Sequence, residues 1–311
     1  MSIAQWYFII NPVAGNGQGT KYWRKIQLLL EQINIKFDFG ISTYPQHSTH
    51  LASYAVLKGH RYIVAIGGDG TINEVINGIF TQQKVPTDAI TFAAIPIGTG
   101  NDWAKTHRIP SNLKKAIQLL VQPKVIKHDI GKVTYHNINT LQKEERFFIN
   151  VAGLAYDAFV TKASETRPKY GNSQFYYLYL IARCITQFKA TPATIFFDDQ
   201  ELSCSFFNIT IGQCKYNGGG TNLVPHADPT DGLFALSLYK NVKPWEVILR
   251  APQFYSGSIS KHKEAVTAQV KQIRITAPVE TPAYVEVDGE WLGQSPIEFT
   301  MLPAAIRVVV P

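Results

Sequence analysis

The sequence predicts two domains of different class. The first is an α/β domain whose parallel sheet carries helices on both faces, and the second is a mainly-β domain that forms a sandwich. Up to about Ile130, apolar strand-like runs alternate with segments of helical apolar spacing, and after it strand-like runs dominate. A length of 311 residues suggests about two domains of ordinary size. We therefore place the first domain at residues 1–130 and the second at residues 131–296.

The first domain is organised around a strand, a glycine turn and a helix. The apolar run Tyr62–Ile66 predicts a strand buried on both faces, Gly67–Gly70 a tight turn, and the apolar spacing of Ile72–Phe80 a helix. Backbone N–H groups converge at such a turn, which suits an anion such as phosphate. Asp69 would repel phosphate unless it acts through a metal ion or ordered water. An ordinary βα turn is the alternative.

The other elements of this domain continue the alternation. Predicted strands are Trp6–Ile10, Lys36–Thr43 and Ile90–Ile95; predicted helices are Lys21–Ile33, Thr49–Leu57 and a segment with Ser111 as N-cap and apolar residues from Leu113 to Val121.

The second domain contains mostly strand-like runs. Predicted strands are Val125–Val133, Phe147–Val151, Thr194–Phe197, Leu202–Ile211, Leu233–Tyr239, Val270–Thr276 and Tyr284–Val287, with a polar hairpin at 135–146. Helices are predicted at Gln174–Phe188 and at Pro244–Tyr255, where Pro244 fits a first-turn position.

Three polar, glycine-rich loops each follow a predicted strand of the first domain. They begin at Asn11, Gly67 and Gly98. In a parallel sheet the carboxyl ends of the strands share one edge, where ligands bind. The convergence of the three loops therefore predicts a site for a phosphate-bearing ligand.

Two acidic turns in the second domain are candidates for chemistry. Asp228 and Asp231 are three residues apart and could share one hard cation, with the Leu233 carbonyl completing its shell. A simple Asp-Gly turn explains the same residues. The segment Asp288–Glu290 is equally a hairpin turn or a turn that aims Glu290 into a cleft as a general base.

Composition limits the class of protein and its partners. A net charge of +7 permits anionic partners, including an acidic membrane surface. Basic residues do not form a dense tract interleaved with aromatics, so we expect no nucleic-acid partner. The three cysteines show no metal-site or disulfide spacing, which favours a cytoplasmic protein.

One segment of the sequence is apolar enough to be considered for contact with a membrane. Phe175–Phe188 is shorter than a spanning helix requires and contains Arg183. An amphipathic helix is expected instead, either packed on the core or touching a membrane surface. Trp6–Ile10 is too short for the apolar core of a signal peptide and fits a first strand better.

Taken together, the motifs resemble the diacylglycerol kinase catalytic-domain family in its soluble bacterial form, a group related to sphingosine kinases and more distantly to NAD kinases. The resemblance covers nearly the whole chain. The motifs that carry it are Asn11-Pro12 with its glycine loop, Gly67–Thr71 with Asn73-Glu74 and Asn77-Gly78, Pro96–Asp102, Asn217–Gly220, Asp228–Gly232 and Asp288–Glu290. Trp103 departs from the pattern, where a smaller apolar residue is expected, and we expect it to affect packing rather than catalysis.

The resemblance implies a nucleotide-binding domain, a β-sandwich substrate domain, an active-site cleft between them, and a return of residues 297–311 to the first domain. It implies ATP contacts by Asn11, Pro12, Val13, Ala14, Gly15, Thr43, Gly67, Gly68, Asp69, Gly70, Thr71, Ile72, Asn73 and Thr99. It implies a magnesium-organising network of Asp69, Asp102, Asp129 and Asp231, a structural magnesium held by Asp228, Asp231 and the Leu233 carbonyl, and Glu290 as the base.

The expected function is that of a lipid kinase, which uses ATP and Mg²⁺ to phosphorylate a hydroxyl of diacylglycerol or a related lipid. The expected partners are ATP, a lipid with a free hydroxyl and an anionic membrane surface contacted peripherally. An NAD kinase and a catalytically silent lipid-binding protein are the alternatives. The Gly98–Asp102 loop favours a lipid kinase over an NAD kinase. The presence of every carboxylate that the resemblance implies argues against a silent protein. An exposed strand edge in the sandwich would also allow a homodimer.

Overall fold

The computed structural model of the chain describes residues 5–165, 183–240 and 242–311. They form two compact units. The first comprises Met1–Ile130 with Pro303–Pro311, and the second Gly131–Leu302.

The first unit contains a parallel sheet. Its strands are β1 (Trp6–Ile10), β2 (Phe37–Ile41), β3 (Tyr62–Gly67) and β4 (Thr91–Pro96). They pair in the order β2-β1-β3-β4. The end of the last strand of the chain, β15 (Glu290–Val310), runs parallel to β4, with Arg307 beside Thr91 and Val308 beside Phe92.

Helices cover both faces of this sheet, as predicted. They are α1 (Gly19–Gln32), α2 (His47–Leu57), α3 (Asp69–Thr81), α4 (Asp102–Thr106) and α5 (Leu113–Gln118), with short helical turns at Ala14–Gly17 and Thr87–Ala89. Trp23 of α1 and Ile117 of α5 join Phe8 in one apolar cluster. The next residue of β1, Ile9, points to the other face, where α2 contacts the strand. The α/β class predicted for the N-terminal half is therefore confirmed.

The second unit is rich in antiparallel strands. They are β6 (Lys143–Phe148), β7 (Val151–Ala155), β8 (Thr191–Phe197), β9 (Gln200–Phe206), β10 (Asn208–Gly212), β11 (Phe234–Tyr239), β12 (Ala265–Val270), β13 (Gln272–Thr276) and β14 (Tyr284–Val287), together with the end of β5 (Lys124–His136) and the first part of β15. Its helices are α6 (Tyr156–Glu165), α7 (Pro244–Leu249) and α8 (Ala251–Ser256), with a short 3₁₀ turn at Ser258–Lys261.

Two runs of antiparallel strands build the sandwich. One has the order β12-β11-β10-β7-β14-β15, and the other links β15, β13, β8 and β9. Ile209 and Leu236 of the first run share one buried cluster with Ile195 and Ile273 of the second. The predicted β-sandwich is confirmed.

Some predicted element bounds are wrong. The strand predicted at Leu202–Ile211 is two strands, because the chain leaves β8 after Phe206 and pairs with β7 and β11 from Asn208. The strand predicted at Val270–Thr276 likewise divides into β12 and β13, which pair with different partners. The helix predicted at Pro244–Tyr255 is interrupted at Arg250.

One further prediction needs correction, and another is confirmed. The N-cap of α5 is Asn112 and not Ser111, since the Asn112 side chain accepts a hydrogen bond from Lys115 N (3.2 Å). The hairpin predicted at 135–146 is confirmed, since β5 and β6 pair antiparallel on either side of a turn. Its charged residues stay on the ladder because Tyr135 Oη donates to the Glu144 carboxylate across it (3.0 Å).

The helix predicted at Gln174–Phe188 falls largely outside the described residues. Phe188 at its end is described and contacts Tyr156, Phe159 and Phe207. Within the described ranges, no helix has both the length and the apolar character needed to cross a bilayer.

Candidate functional site

The Asn11 loop is fastened to the central glycine turn. Asn11 Nδ2 donates to Thr71 Oγ1 (3.0 Å), and Asn11 Oδ1 accepts from Val13 N (3.1 Å). The backbone then turns through Gly15, whose φ of 62° favours glycine. A Cβ on Gly15 would lie 2.7 Å from the Ile97 carbonyl oxygen, so this loop also approaches the end of β4. The structure thus brings the first and second predicted loops together.

The second and third glycine loops pack directly on each other. A Cβ on Gly98 would lie 2.5 Å from Gly68 Cα, and a Cβ on Gly67 would clash with the Thr71 side chain. Gly70 faces open space at the start of α3. Close backbone approach with one open glycine is the arrangement that lets N–H groups reach a phosphate.

Asp69 holds the third loop at the start of α4. Its carboxylate accepts hydrogen bonds from Asp102 N and Trp103 N, each 3.1 Å long. Asp69 Oδ2 and Asp102 Oδ2 would lie 3.1 and 3.6 Å from a Cβ placed on Gly100. The two carboxylates therefore face the same small space, and Lys105 Nζ lies 2.8 Å from Asp102 Oδ1.

Asn101 gives the third loop its shape. Its side-chain oxygen accepts from Gly98 N (3.0 Å), and its amide nitrogen donates to the Gly98 carbonyl (2.7 Å). Its φ of 52° is in the left-handed region, which asparagine tolerates better than most residues. Thr99 is held exposed at the tip of this loop.

Thr43 is linked to the central helix α3 through Glu74, a residue to which the sequence analysis gave no role. Glu74 of α3 accepts hydrogen bonds from Gln46 N (3.1 Å) and Ser48 N (3.2 Å) at the start of α2. Thr43 N in turn donates to His47 Nδ1 (3.0 Å). Glu74 follows Gly70 by one helical turn, and this spacing is the sequence feature that could have identified Glu74 as part of the site.

The predicted contact residues beyond Thr71 are less accessible. Ile72 is buried and its N–H donates to the Gly68 carbonyl (3.1 Å). Asn73 is fully buried and its carbonyl and side-chain oxygens accept from Asn77 Nδ2. Among the ATP contacts predicted in the Asn11 loop, Val13 is strongly exposed, and Pro12 and Ala14 are half-buried.

Asp129 and Trp103 are both buried in the first unit. Asp129 accepts a hydrogen bond from Ala304 N (2.6 Å), so it ties β5 to the last segment of the chain. Trp103 is fully buried against Phe92 and His107, which agrees with a packing role. Burial, followed by the neighbouring His128, holds the pKa of His107 well below its usual range.

In the second unit, the turn that carries Glu290 is held by several polar contacts. Asp288 accepts from Ile149 N (3.2 Å), Asn150 N (3.1 Å) and Val151 N (3.1 Å). Glu290 Oε2 accepts from Arg146 Nη2 at 2.6 Å. The guanidinium orients the half-buried carboxylate and stabilises its negative charge. Asp288 therefore fastens the turn, while Glu290 keeps a partly accessible carboxylate.

Two buried carboxylates behind this turn were not predicted. Asp157 of α6 accepts from Asn208 Nδ2 (2.9 Å), and burial raises the pKa of the Asp157 carboxyl to about 6. Burial and then the nearby Asp157 raise the pKa of Glu286 well above its usual range. Glu286 Oε2 accepts from Gly289 N (2.9 Å), which places this pair directly under the Asp288–Glu290 turn.

The predicted structural metal ligands sit on an exposed turn. Asp228 Oδ1 accepts from Thr230 N (2.9 Å) and Thr230 Oγ1 (2.7 Å). Asp231 Oδ1 accepts from Leu233 N (2.9 Å), and its Oδ2 accepts from Gln269 Nε2 (2.9 Å). Partial burial raises the pKa of Asp231, and the Asp228 charge adds to this effect. Each carboxylate thus stabilises its own turn, and the Asp228 charge acts on Asp231.

A largely apolar cavity of about 230 Å³ lies in the second unit. Its lining includes Tyr156, Phe207 and Leu223 on one side and Val247 and Phe254 from α7 and α8. The polar lining residues are Asp157, Asn208, Asn217 and Thr221. Since one water occupies about 30 Å³ in the liquid, the cavity has room for several methylene-sized groups.

The residues of the first unit fit the chemistry of a nucleotide and a divalent cation. Glycine turns approach each other closely, one glycine is open, and α3 begins at the same point, so N–H groups are available for phosphate oxygens. Asp69 and Asp102 add carboxylate oxygens, the ligands that Mg²⁺ prefers.

Comparisons with known proteins agree with this geometry. Residues 5–133 match the family described as diacylglycerol kinase catalytic domain, and residues 150–310 match the YegS C-terminal NAD kinase beta sandwich-like domain. A diacylglycerol kinase of Staphylococcus haemolyticus is 28% identical over 97% of this chain and 87% of its own. A diacylglycerol kinase of Bacillus subtilis is 27% identical over 97% of this chain and 95% of its own.

Solved structures share the fold. A diacylglycerol kinase from Bacillus anthracis has a TM-score of 0.72 at 20% identity and covers 99% of this chain and 97% of its own. A yeast NADH kinase, solved with NADH, has a TM-score of 0.53 at 11% identity and covers 100% of this chain and 84% of its own. With both domain types matched in order along nearly the whole chain, this protein belongs to the diacylglycerol kinase family of lipid kinases.

Proposed function

We propose that this protein uses ATP and Mg²⁺ to transfer a phosphate to a hydroxyl of diacylglycerol or a closely related lipid. The observation that carries the lipid assignment is the apolar cavity of the second unit. Burying apolar lipid tail surface there would contribute about 25 cal/mol per Å². The loops of the first unit support the nucleotide assignment.

In the first unit, the proposed roles are phosphate binding and magnesium binding. The Asn11, Gly67 and Gly98 loops donate backbone N–H groups to phosphate oxygens, with Thr99 at the exposed tip and Thr43 supported through Glu74. Asp69 and Asp102 would hold Mg²⁺, and we assign Asp129 to the same network. Bound Mg²⁺ supplies charge neutralisation on the phosphates.

The proposed roles in the second unit concern the acceptor. Glu290 takes the proton from the lipid hydroxyl as its oxygen forms a bond to the γ-phosphorus and the bond to ADP breaks. Arg146 orients that carboxylate through a contact of 2.6 Å. Asp228, Asp231 and the Leu233 carbonyl would hold a structural cation, and Asp231 joins the carboxylate network. Peripheral contact with an anionic bilayer would supply the acceptor.

The test is an assay with γ-labelled ATP, Mg²⁺ and a total lipid extract in mixed micelles. The expected result is one labelled lipid species, with turnover reduced by about 10²–10⁴ in Glu290→Gln, since a positioned base contributes that much. ATP affinity of the variant should stay near that of the parent. Glu280→Gln, at an exposed residue of the same unit, is the matched control.

Two results would contradict the proposal. Absence of any labelled lipid, together with phosphorylation of NAD in the same mixture, would reject the lipid acceptor. Turnover of Glu290→Gln close to that of the parent would reject Glu290 as the base.

A further inference from the structure

Helix α7 exposes a compact apolar face. Trp245, Ile248 and Leu249 are 55%, 60% and 72% exposed. Their spacing of three and four residues places them on the same side of the helix. Isolated exposed apolar residues are ordinary, but three large ones on one helical face mark an interaction surface.

Cations lie near this helix. Lys243, Lys261 and Lys263 are exposed and Arg250 is half-buried. Lys243 N donates to the Glu246 carboxylate of α7 (3.0 Å), and after this hydrogen bond the charges of His262, Arg250 and Lys263 lower the pKa of Glu246 further. Lys261 ends the 3₁₀ turn that contacts α8. From residue 240 to residue 264 the chain has five Lys or Arg and two Glu. We call Trp245, Ile248, Leu249 and the four cations the α7 surface.

The inner side of the same helix pair lines the cavity. Val247 and Ile248 of α7, with Ala251 and Phe254 of α8, contribute to its wall. Helix α7 therefore contributes both to the exposed apolar face and to the wall of the proposed lipid cavity. Ile248 belongs to both, since it is exposed and also lines the cavity.

We propose that the α7 surface docks this protein on a bilayer that contains anionic lipid, beside the wall of the apolar cavity that α7 helps to form. Trp245, Ile248 and Leu249 enter the headgroup region, and the cations contact lipid phosphates. This inference rests on the proposed function for its biological purpose, because docking there brings membrane lipid next to the cavity.

Charge favours a bilayer over a second copy of the chain. In a twofold dimer the same patch meets itself, so the cations of one α7 surface would face those of the other. Such like-charge contact is unfavourable, whereas an anionic leaflet attracts each Lys or Arg. Tryptophan is also typical of the membrane interface.

The experiment uses the full chain and vesicles of phosphatidylcholine with or without phosphatidylglycerol. Of the five tryptophans, Trp6, Trp23 and Trp103 are buried and Trp291 is half-buried. Tryptophan emission should therefore shift to shorter wavelength on anionic vesicles mainly through Trp245, and the shift should be lost in Trp245→Phe. Cosedimentation measures the affinity directly.

Two variant sets separate the apolar and ionic contributions. Trp245→Ser with Leu249→Ser should weaken binding by at least about tenfold because the apolar face is removed. Lys243→Gln with Lys261→Gln and Lys263→Gln should weaken binding to anionic vesicles by about fivefold for each cation. The matched controls are Val279→Ser, which is 91% exposed in the same unit, and Lys271→Gln. Thermal unfolding checks that the variants fold.

The vesicle-binding results decide whether the α7 surface docks on a bilayer, and they do not depend on the kinase assay. Parent binding that both variant sets weaken while the controls bind normally supports the proposal. Parent protein that does not bind, or variants that bind as the parent does, overturns it. A Trp245→Ser, Leu249→Ser protein that changes only from dimer to monomer in light scattering also overturns it. Failure of phosphate transfer in detergent micelles would reject the proposed function without altering the vesicle result.

Discussion

Asp157 and Glu286 are carboxyl groups whose negative charge is unfavourable in the folded protein. Both are buried, and burial is the largest cause of the raised pKa of each. Below the unfolded pKa of about 3.8, both states of Asp157 are protonated and the shift has no effect. As pH rises toward the folded value of about 6, the unfolded state ionises first, so stability falls with pH. Glu286 extends the same trend to higher pH.

Asp157→Asn should therefore flatten the pH dependence of stability. The shift of Asp157 corresponds to roughly 3 kcal/mol lost between about pH 4 and pH 7 in the parent. Asn keeps an oxygen for the Asn208 hydrogen bond but cannot ionise. Thermal unfolding at a series of pH values measures the slope, with the exposed Asp199→Asn as control. A variant that retains the parent slope would contradict the assignment.

This pair also shows why part of the site could not be predicted from the sequence. In Tyr284–Val287 the alternation of residues places Glu286 opposite Val285 and Val287, on the face that a sandwich usually exposes. In the structure α6 contacts β14 and covers that face. Covering by a distant helix leaves no local signal, whereas Asp288-Gly289-Glu290 was recognisable as a turn motif.

At the scale of elements, the contact between two glycine turns defines the candidate nucleotide site. Gly98→Ala should separate the turns, because its Cβ would lie 2.5 Å from Gly68 Cα and 2.8 Å from Asn101 Oδ1. Overpacking of this kind costs about 1–3 kcal/mol. Gly70→Ala is the matched control for stability, since nothing lies within 4 Å of its Cβ position. Chemical denaturation measures both, and equal stability of the two variants would contradict the proposed tight contact.

The strand-turn-helix units of the first unit were predictable because each depends on neighbours in sequence. An apolar run, a glycine turn and helical spacing occur within about twenty residues of one another. The division into β9 and β10 was not predictable in this way, since both segments are strand-like and no glycine or proline separates them. Their division depends on which distant strands they pair with, β8 for one and β7 and β11 for the other.

At the scale of the whole molecule, the last residues complete the first unit. Ile306, Val308 and Val309 are buried, and Val308 pairs with Phe92 of β4. Earlier in the same strand, Ile297 and Phe299 pack in the core of the second unit. A long run of strand-like residues does not show by itself where such a change of core occurs, because both segments alternate in the same way.

Removal of residues 303–311 should therefore destabilise the first unit more than the second. Each buried aliphatic side chain contributes about 1.5–3 kcal/mol, so the loss of three is comparable with the whole stability of a typical domain. The truncation also removes Ala304 N, which donates to the buried Asp129. Hydrogen exchange of β4 should accelerate strongly, while exchange of β10 should change much less.

Two milder variants make this last prediction specific. Val308→Ala keeps the backbone pairing with β4 and removes only side-chain contacts, so β4 should exchange faster than in the parent but slower than in the truncated protein. Removal of the exposed Pro311 alone should leave exchange unchanged. If β4 and β10 lost protection equally in the truncated protein, the two units would unfold as one, and the last segment would stabilise the whole chain rather than the first unit.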